Sequence, residues 1–494
     1  MERTVVIAGG GPAGLMLAAE LGLAGVDAVV LEKLPEPPGW SRALGLHWGS
    51  IEALNQRGLA APVFEYQQIK YFGFGMLRFS GLSGDLVPRR VPQRRIEQLL
   101  EERVNALAGV ELRRGHAVVG MEQDADGVTV RVSGEDGEYD IRASYLVGCD
   151  GGGSTVRKLA GIGFPGTAST TNGITGDLRV PVELQERWDP QLRERGLFAY
   201  IPLDGELVRV TAAEFRTEPA SRDVPPTLAE LTTLVERIVG EAPPLGEAVM
   251  LSRFGSATRQ AEKYREGRVF LVGDAVHIHF PIGGQGLNTS IQDALNLGWK
   301  LAAEIQGWAP PGLLDTYQAE RHPIGERVCM NTRAQLTLME QPQEMTPLRE
   351  MFGELLALDE VSEHLIHMMS GVDIRYPMRA AGDATEDAAP EHPLTGLRVP
   401  NAALLTPAGP TDVARTLHGG RGVLYDLSGG EAVLPDVSAL KSRVDTVAAE
   451  PVTEIDAPAL LVRPDGYIAW AGSPEDDAAG LDAALRTWFG APAA

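Results

Sequence analysis

The sequence predicts an α/β protein: a nucleotide-binding sheet, a β-rich unit inserted into it, and a smaller α/β unit behind it. Three observations carry this. An apolar strand, a glycine-rich turn and an Ala/Leu-rich helix open the chain within residues 4–24, the start of a Rossmann-type βαβ unit. The same succession of apolar strand and glycine-rich turn recurs at 145–153 and 268–286. Between these two, from about 172 to 254, the chain reads as strands and turns. The length of 494 residues itself calls for more than one core, since domains usually run ~100–200 residues.

Taken in order, Thr4–Ala8 is a β-branched apolar run, as expected of a buried parallel strand. Pro12 to Ala24 reads as a helix closed by Gly25, and Ala28–Leu31 as a second strand ending at Glu32. Pro92 to Leu107 reads as a helix. His116–Tyr145 alternates apolar and polar residues, with turns at 124–127 and 134–137, and predicts an antiparallel meander leading into the strand Tyr145–Cys149. Strands are expected at Ile174–Val180, Leu197–Ile201, Leu207–Phe215 and Ala248–Phe254, with a helix near Thr227–Val239. Arg268–Val272 is again a buried strand, and Gly286–Gln306 a helix with one apolar stripe. A further helix starts near Leu313, and Pro323 should kink or break it. Residues 373–393 read as a linker, and strands at Gly422–Leu427, Ala459–Val462 and Ile468–Trp470 with a helix at Glu475–Phe489 make the third unit. The expected boundaries are 1–171, 172–258, 259–372, the linker, and 394–494.

Composition excludes several function classes. The formal net charge is −23, which disfavours nucleic acid and anionic membranes as partners. There is no run of about 18 apolar residues to span a bilayer. The chain enters a strand pattern by Thr4, leaving no room for a signal peptide, so a cytoplasmic location is expected. Cys149 and Cys329 are the only cysteines, with no CxxC, so neither a disulfide framework nor a zinc site is expected. His277 and His279 share a strand face but lack a completing ligand set, and no metal is expected there.

Three motifs carry chemistry. In Gly9-Gly10-Gly11-Pro12-Ala13-Gly14, Gly9 permits the tight turn, Gly11 admits a pyrophosphate, and Gly14 lets helix pack on strand. The helix N-terminus offers free N–H groups to the phosphates. Glu32 stands where an acid bonds ribose hydroxyls, and its carboxylate would repel a 2′-phosphate. This motif alone fits FAD or NAD. In the second, Gly273-Asp274 ends a strand and Pro281 to Gly286 opens a helix. Asp274 can accept from sugar hydroxyls, and the helix start can stabilise the negative charge of a reduced flavin, which favours flavin over nicotinamide. The third, Gly148 to Arg157, offers Asp150 and Gly151, then Ser154 and Arg157. It suits phosphate and ribose contacts, and equally a turn with a satisfied Asp and a solvated Arg.

Together the three resemble the class A flavoprotein monooxygenases, the aromatic hydroxylase family, over residues 1–370. The family's D-G…S…V-R is met by Asp150, Gly151, Ser154, Val156 and Arg157. Its G-D with downstream P-x-G-G-x-G-L-N is met by Gly273, Asp274, Pro281, Gly283, Gly284, Gly286, Leu287 and Asn288. Ser41-Arg42 resembles the family's S-R, and Pro92-Gln93 its P-Q. Within the family the chain is similar to bacterial aromatic polyketide hydroxylases, through the run from His279 to Ala302, the run Tyr317–Pro323, and a tail strand ending Arg463-Pro464-Asp465-Gly466.

The resemblance implies a glutathione-reductase-like FAD-binding domain, an inserted substrate sheet and a thioredoxin-like C-terminal domain. That tail has no cysteine and so no thiol redox chemistry. The resemblance also places Lys33, Arg42, Gln93, Val118, Leu287 and Asn288 at the cofactor. With one GxGxxG present, NADPH or NADH visits transiently to reduce FAD. Reaction with O2 then gives a C4a-hydroperoxyflavin that hydroxylates an electron-rich polycyclic phenol. The cofactor carries the chemistry, so no protein nucleophile or base is named; Arg42 and Pro281 shape the flavin's surroundings. Trp48, Phe72, Phe74, Phe198, Tyr200, Phe215 and Phe280 are candidates to line the substrate, with Met76 and Phe79 beside them; each is otherwise plain core. Trp48 departs from the smaller or polar residue expected in relatives. The basic cluster Arg89, Arg90, Arg94 and Arg95 is either a landing site for NADPH phosphate or a solvated face. A homodimer is a candidate assembly. Baeyer–Villiger oxygenation of a related ketone and a non-oxygenating flavin-binding scaffold stand as alternatives.

Overall fold

The chain begins with β1 (Glu2–Ala8), α1 (Pro12–Leu23), β2 (Ala28–Glu32) and α2 (Trp48–Asn55). A small hairpin, β3 (Gly73–Phe74) and β4 (Leu77–Arg78), precedes α3 (Gln93–Ala106) and β5 (Val110–Arg114). The meander follows as β6 (Ala117–Gln123), β7 (Val128–Gly134) and β8 (Gly137–Gly148), and then α4 (Thr155–Leu159). These coordinates are a computed structural model describing residues 2–69, 72–79, 86–185, 189–221, 224–340, 343–379, 391–430, 432–453 and 455–490. The greater part of the expected linker, residues 380–390, lies outside the described residues.

Next come β9 (Gly166–Thr167), β10 (Thr171–Arg179), β11 (Gln191–Arg193), β12 (Gly196–Pro202), β13 (Leu207–Phe215), α5 (Leu228–Val239) and β14 (Glu247–Phe254). The chain returns through β15 (Thr258–Gln260), β16 (Arg265–Glu266), β17 (Val269–Leu271) and β18 (His277–Ile278) into α6 (Gln285–Ile305), α7 (Asp315–Met339), α8 (Thr346–Leu355) and α9 (Asp359–Ser370).

Two sheets position the site. The first runs β16-β17-β8-β1-β2-β5, with β7 joined to β8 and β6 to β7. Its central strands are parallel and solidly apolar because helices cover them; Val5, Val6, Ile7, Val29 and Val30 are fully buried. The first half of β8 continues the meander, while its second half pairs parallel with β1. The inserted sheet is antiparallel, in order β11-β12-β13-β10-β14. Its side chains alternate between two faces. One face packs on α5 through Phe198, Tyr200, Val208, Val210 and Ala212. The other carries Leu197, Ala213 and Phe215 towards Phe280, Leu336 and Met339.

Pro323 does not end α7, which runs 25 residues through it. The helix is held from outside. Gln260 Nε2 donates to the carbonyl of His322 at 2.7 Å, and Tyr317, Glu320, Arg321 and Gly325 are buried around the proline. Such packing outweighs the ~3 kcal/mol that an interior proline costs a helix.

The last unit comprises β19 (Ala403–Thr406), β20 (Gly409–Asp412), α10 (Val413–Thr416), β21 (Gly422–Asp426), β22 (Val444–Ala448), β23 (Glu450–Pro451), β24 (Ala459–Val462), β25 (Ile468–Gly472) and α11 (Ala478–Phe489). Its main sheet has the order β22-β21-β24-β25, with β21 and β22 parallel and the other pairs antiparallel. One of its apolar cores includes Trp299 and Ala303 of α6 and Leu313 of the turn before α7, so the two units share buried surface.

Candidate functional site

Two uncapped helix starts and two acids converge at the ends of β1, β2 and β17. At the first turn, a Cβ on Gly9 would lie 2.4 Å from the carbonyl oxygen of Cys149, and one on Gly14 would lie 2.0 Å from that of Gly9. Strand, turn and helix therefore touch backbone to backbone, which only glycine allows. A Cβ on Gly11 would meet nothing within 4 Å. That open space lies before the N-terminus of α1, where Pro12 and Ala13 begin the helix and no side chain caps it. Glu32 closes the cradle. Its Oε2 accepts from the N–H of Gly10 and its Oε1 from that of Leu34, both at 2.8 Å. Lys33 is exposed beside it, and Val118 is buried on β6, just beyond His116, whose N–H donates to the Glu32 carbonyl.

Gly273-Asp274 faces this cradle. Gly273 has φ +67, and a Cβ there would stand 2.7 Å from Ser290 Oγ and 3.4 Å from Ala13. Asp274 is exposed on this otherwise buried turn. Beyond it, Pro281 and Gly284 are exposed, and Gly283 and Gly284 have φ of +72 and +65. These two left-handed glycines turn the chain into α6, whose first turn carries neither an acid nor a side-chain cap. Gly286 and Leu287 are half-buried in that turn. Burial holds the pKa of His279 below its ordinary value, with His277 lowering it further, so the loop beside Asp274 gains no cationic imidazole near neutrality.

Asn288 fixes this loop. Its side chain accepts from the N–H of His47 at 2.8 Å and donates to the carbonyls of Gly284 at 2.8 Å and Gly45 at 3.3 Å. Removing it strands the buried N–H of His47 and takes the donor from two part-buried carbonyls. Asn288→Ala is expected to cost about 2–3 kcal/mol, read as a lower urea midpoint of the full chain; an unchanged midpoint would remove this role.

The Ser41–Arg42 segment is set from the inserted sheet. Arg209 on β13 pairs with Asp177 on β10 at 2.7 Å, both buried, and donates to the carbonyls of Ser41 and Arg42. Arg42 itself is exposed, 5.9 Å from the Trp40 ring. Gln93 grips the same segment: its Oε1 accepts from Ala43 N–H at 3.2 Å and its Nε2 donates to Glu97. The Asp177–Arg209 pair escaped the sequence reading. The signal was an acid and an arginine inside otherwise apolar strands, but their meeting depends on register between strands about thirty residues apart.

The third motif is a structural device as well as a neighbour of the site. Asp150 accepts from Ser154 Oγ at 2.5 Å and from the N–H groups of Thr155 and Val156, so it holds the start of α4. Gly151 takes φ +79. Arg157 is buried, not solvated: it donates to the carbonyls of Ala275 and Gly152 and stacks 3.7 Å from the Phe164 ring centre. The basic cluster is likewise committed to the fold. Arg89 donates to Tyr66 O, Arg90 to Pro202 O, and Arg94 pairs with Glu97 and Glu101.

The substrate candidates separate into groups. Phe215 and Phe280 share the inserted-sheet face nearest the loop. Phe198 and Tyr200 lie on the opposite face, 0% and 2% exposed against α5, because their side chains alternate with that of Leu197; this corrects their expected place beside the substrate. Phe72 and Phe74 pack with Phe79, Leu338 and Met369 in a separate cluster, Phe72 standing 5.5 Å from the His47 ring. Trp48 begins α2 and lies 6.4 Å from Phe64, against the main core.

The residues present suit a flavin dinucleotide: open space at Gly11, an acid at the end of β2, an exposed acid at Asp274, and a second helix start at Gly284. Among the described residues no group of three or more His, Cys, Asp and Glu is placed to hold a metal, and no helix is long and apolar enough to cross a membrane.

Comparison with known proteins agrees. The FAD binding domain family matches residues 2–332, and the family described as aromatic-ring hydroxylase, C-terminal, matches residues 392–492. The 12-dehydrotetracycline 5-monooxygenase/anhydrotetracycline 6-monooxygenase of Streptomyces rimosus is 46% identical over 515 aligned positions, covering 100% of both chains. A dialkyldecalin synthase of Streptomyces rugosporus is 43% identical over 506, again covering 100% of both. The solved structure of an anhydrotetracycline hydroxylase from Streptomyces rimosus superposes with a TM-score of 0.90 at 45% identity, covering 100% of each chain. This chain therefore belongs to the FAD-dependent aromatic-ring hydroxylases, flavoprotein monooxygenases built on the FAD binding domain fold.

Proposed function

We propose that this enzyme hydroxylates a polycyclic aromatic polyketide, with NADPH or NADH as transient reductant and O2 as co-substrate. The observation that carries the reading is the apolar cluster of Leu197, Phe215 and Phe280, against which Ile282 of the Pro281–Gly284 loop packs. A flat aromatic molecule between that cluster and the loop would be dry on one side and close to the α6 start on the other. When bound, FAD supplies electron transfer from the nicotinamide and activation of O2. The chain's own residues bind and orient. The start of α1 takes the pyrophosphate, Glu32 a ribose hydroxyl, and Asp274 the sugar-alcohol side. The uncapped N–H groups at the start of α6 would stabilise negative charge on a flavin ring held there. Arg42, Gln93 and the Arg209–Asp177 pair keep the opposite wall in place, and the inserted sheet excludes water. In the C-terminal unit we infer a thioredoxin-like descent from the mixed four-stranded sheet with its flanking helix; without cysteine it serves structure.

The test is to mix the yellow protein with NADPH or NADH anaerobically, with and without a panel of polycyclic phenols, and then to admit oxygen. The expected result is substrate-stimulated bleaching followed by a product one oxygen atom heavier. A lactone in place of a new phenol would assign Baeyer–Villiger chemistry. Bleaching in no condition would overturn the oxygenase reading and favour the non-oxygenating flavin-binding scaffold.

A further inference from the structure

We propose that Met76 is a specificity-determining residue of the oxygenation site, held against the substrate face by a strained turn that two helices pin. The inference rests on the substrate lying along the Leu197–Phe215–Phe280 face. Gly75 and Met76 form the two-residue loop between β3 and β4, and both have positive φ, +56 and +63. Paired positive φ is the pattern of a type I′ hairpin turn, in which glycine, asparagine and aspartate are favoured. Methionine at such a φ is disfavoured, and persists only where its surroundings hold it.

Here they do. The N–H of Gly75 donates to Gln335 Oε1 at 3.1 Å, and its carbonyl accepts from Arg349 at 2.9 Å. Gln335 is fully buried on α7 and Arg349 lies on α8, so the turn is fastened from two directions. The Met76 side chain is thereby laid, partly buried, against the cluster containing Phe215 and Phe280. The fastening continues towards the cofactor loop. Gln335 Nε2 donates to Asn331 Oδ1 at 3.1 Å, and Asn331 Nδ2 donates to Gln285 Oε1 at 2.9 Å. Gln285 is the first residue of α6, next to Gly284. Three buried side-chain amides in series therefore fix the distance between the Met76 turn and the loop that packs against the substrate face. A flexible thioether at such a wall conforms to a flat ring system.

The experiment compares wild type, Met76→Gly and Met76→Leu as full-length FAD-loaded proteins. Phenols of one, three and four fused rings are the probes; binding is followed by the change in flavin absorbance, and selectivity by the ratio of kcat/KM between ring sizes. Glycine suits the turn, so Met76→Gly should keep its FAD and melt no lower than wild type. Its preference for the larger rings should fall by about tenfold or more, the effect of removing methylene contacts from an apolar pocket. Met76→Leu keeps the volume and should retain most of the preference. Unchanged selectivity in a glycine variant that binds phenols as wild type does would overturn the role of Met76 and leave the function intact. A wild type that binds no phenol of the panel would overturn both.

Discussion

Gly11→Val folds and fails to hold FAD. The two halves of that expectation come from one measurement of space. At Gly11 φ is −81, a value any residue adopts, and an added Cβ meets no atom within 4 Å. The Cβ of a valine there touches no protein, so the apoprotein should melt within about 1 °C of wild-type apoprotein, a shift worth about 1 kcal/mol in a chain of this length. The methyl groups instead fill the space before the α1 start, where a pyrophosphate must approach the N–H groups. Affinity for FAD, titrated by flavin fluorescence, should fall by about a hundredfold or more, some 2.7 kcal/mol. The neighbouring glycines behave differently. Gly14→Ala drives a Cβ to 2.0 Å from the Gly9 carbonyl and should cost about 1–3 kcal/mol of stability as an overpacked contact. If Gly11→Val kept wild-type FAD affinity, the dinucleotide would not cross the start of α1.

What could be read from the sequence divides along the same line, between local and long-range determinants. The cradle was legible because each part sits beside the next: an apolar strand, glycines needed for close approach, and an acid at the following strand end. The meander and the inserted strands were legible from alternation. Alternation, however, leaves open which face is which. Phe198 and Tyr200 share one face and Leu197 takes the other, and only the docking of α5 decides that the first is plain core. Arg157 and the Arg89–Arg95 cluster read as solvated or phosphate-binding cations, because Arg157, Arg89 and Arg90 find backbone carbonyls as partners, which leave no trace in composition. Pro323 read as a break since local rules see the missing donor; they do not see the buried packing of Tyr317, Glu320, Arg321 and Gly325 around it.

Arg463→Met should be the most destabilising single change in the C-terminal unit, by about 3–5 kcal/mol, the usual result of removing one partner from a buried ion network. Arg463 is fully buried and donates to Glu320 of α7 at 2.7 Å and to both Asp465 oxygens, with its guanidinium 4.3 Å from the centre of the Trp488 ring. Lys300 of α6 completes the group through Glu320 at 2.8 Å. Without Arg463, two buried carboxylates face one ammonium that burial already lowers to about 8. The network also reaches the cofactor loop. Arg321, next to Glu320, pairs with Asp293 at 2.7 Å, and Asp293 accepts from the N–H of Gly273 at 3.3 Å. FAD affinity should therefore fall along with stability. Acid provides an independent reading. Burial raises the Glu320 pKa, but Arg463 and Lys300 outweigh it and bring it from 4.5 to about 2. Asp293 is held low in the same way, burial being outweighed by Arg321 and then His277. A carboxylate with a depressed folded pKa stabilises the fold fully above its unfolded value. That contribution is lost as pH falls from about 4.5 through about 2. Wild-type urea midpoints should drop steeply across this window. In Arg463→Met the Glu320 part of the drop should be smaller, because the larger of the two charges that depress its pKa is gone while Lys300 remains. Parallel curves for the two proteins would mean that Arg463 packs as a flat side chain among aromatics and contributes nothing as a charge.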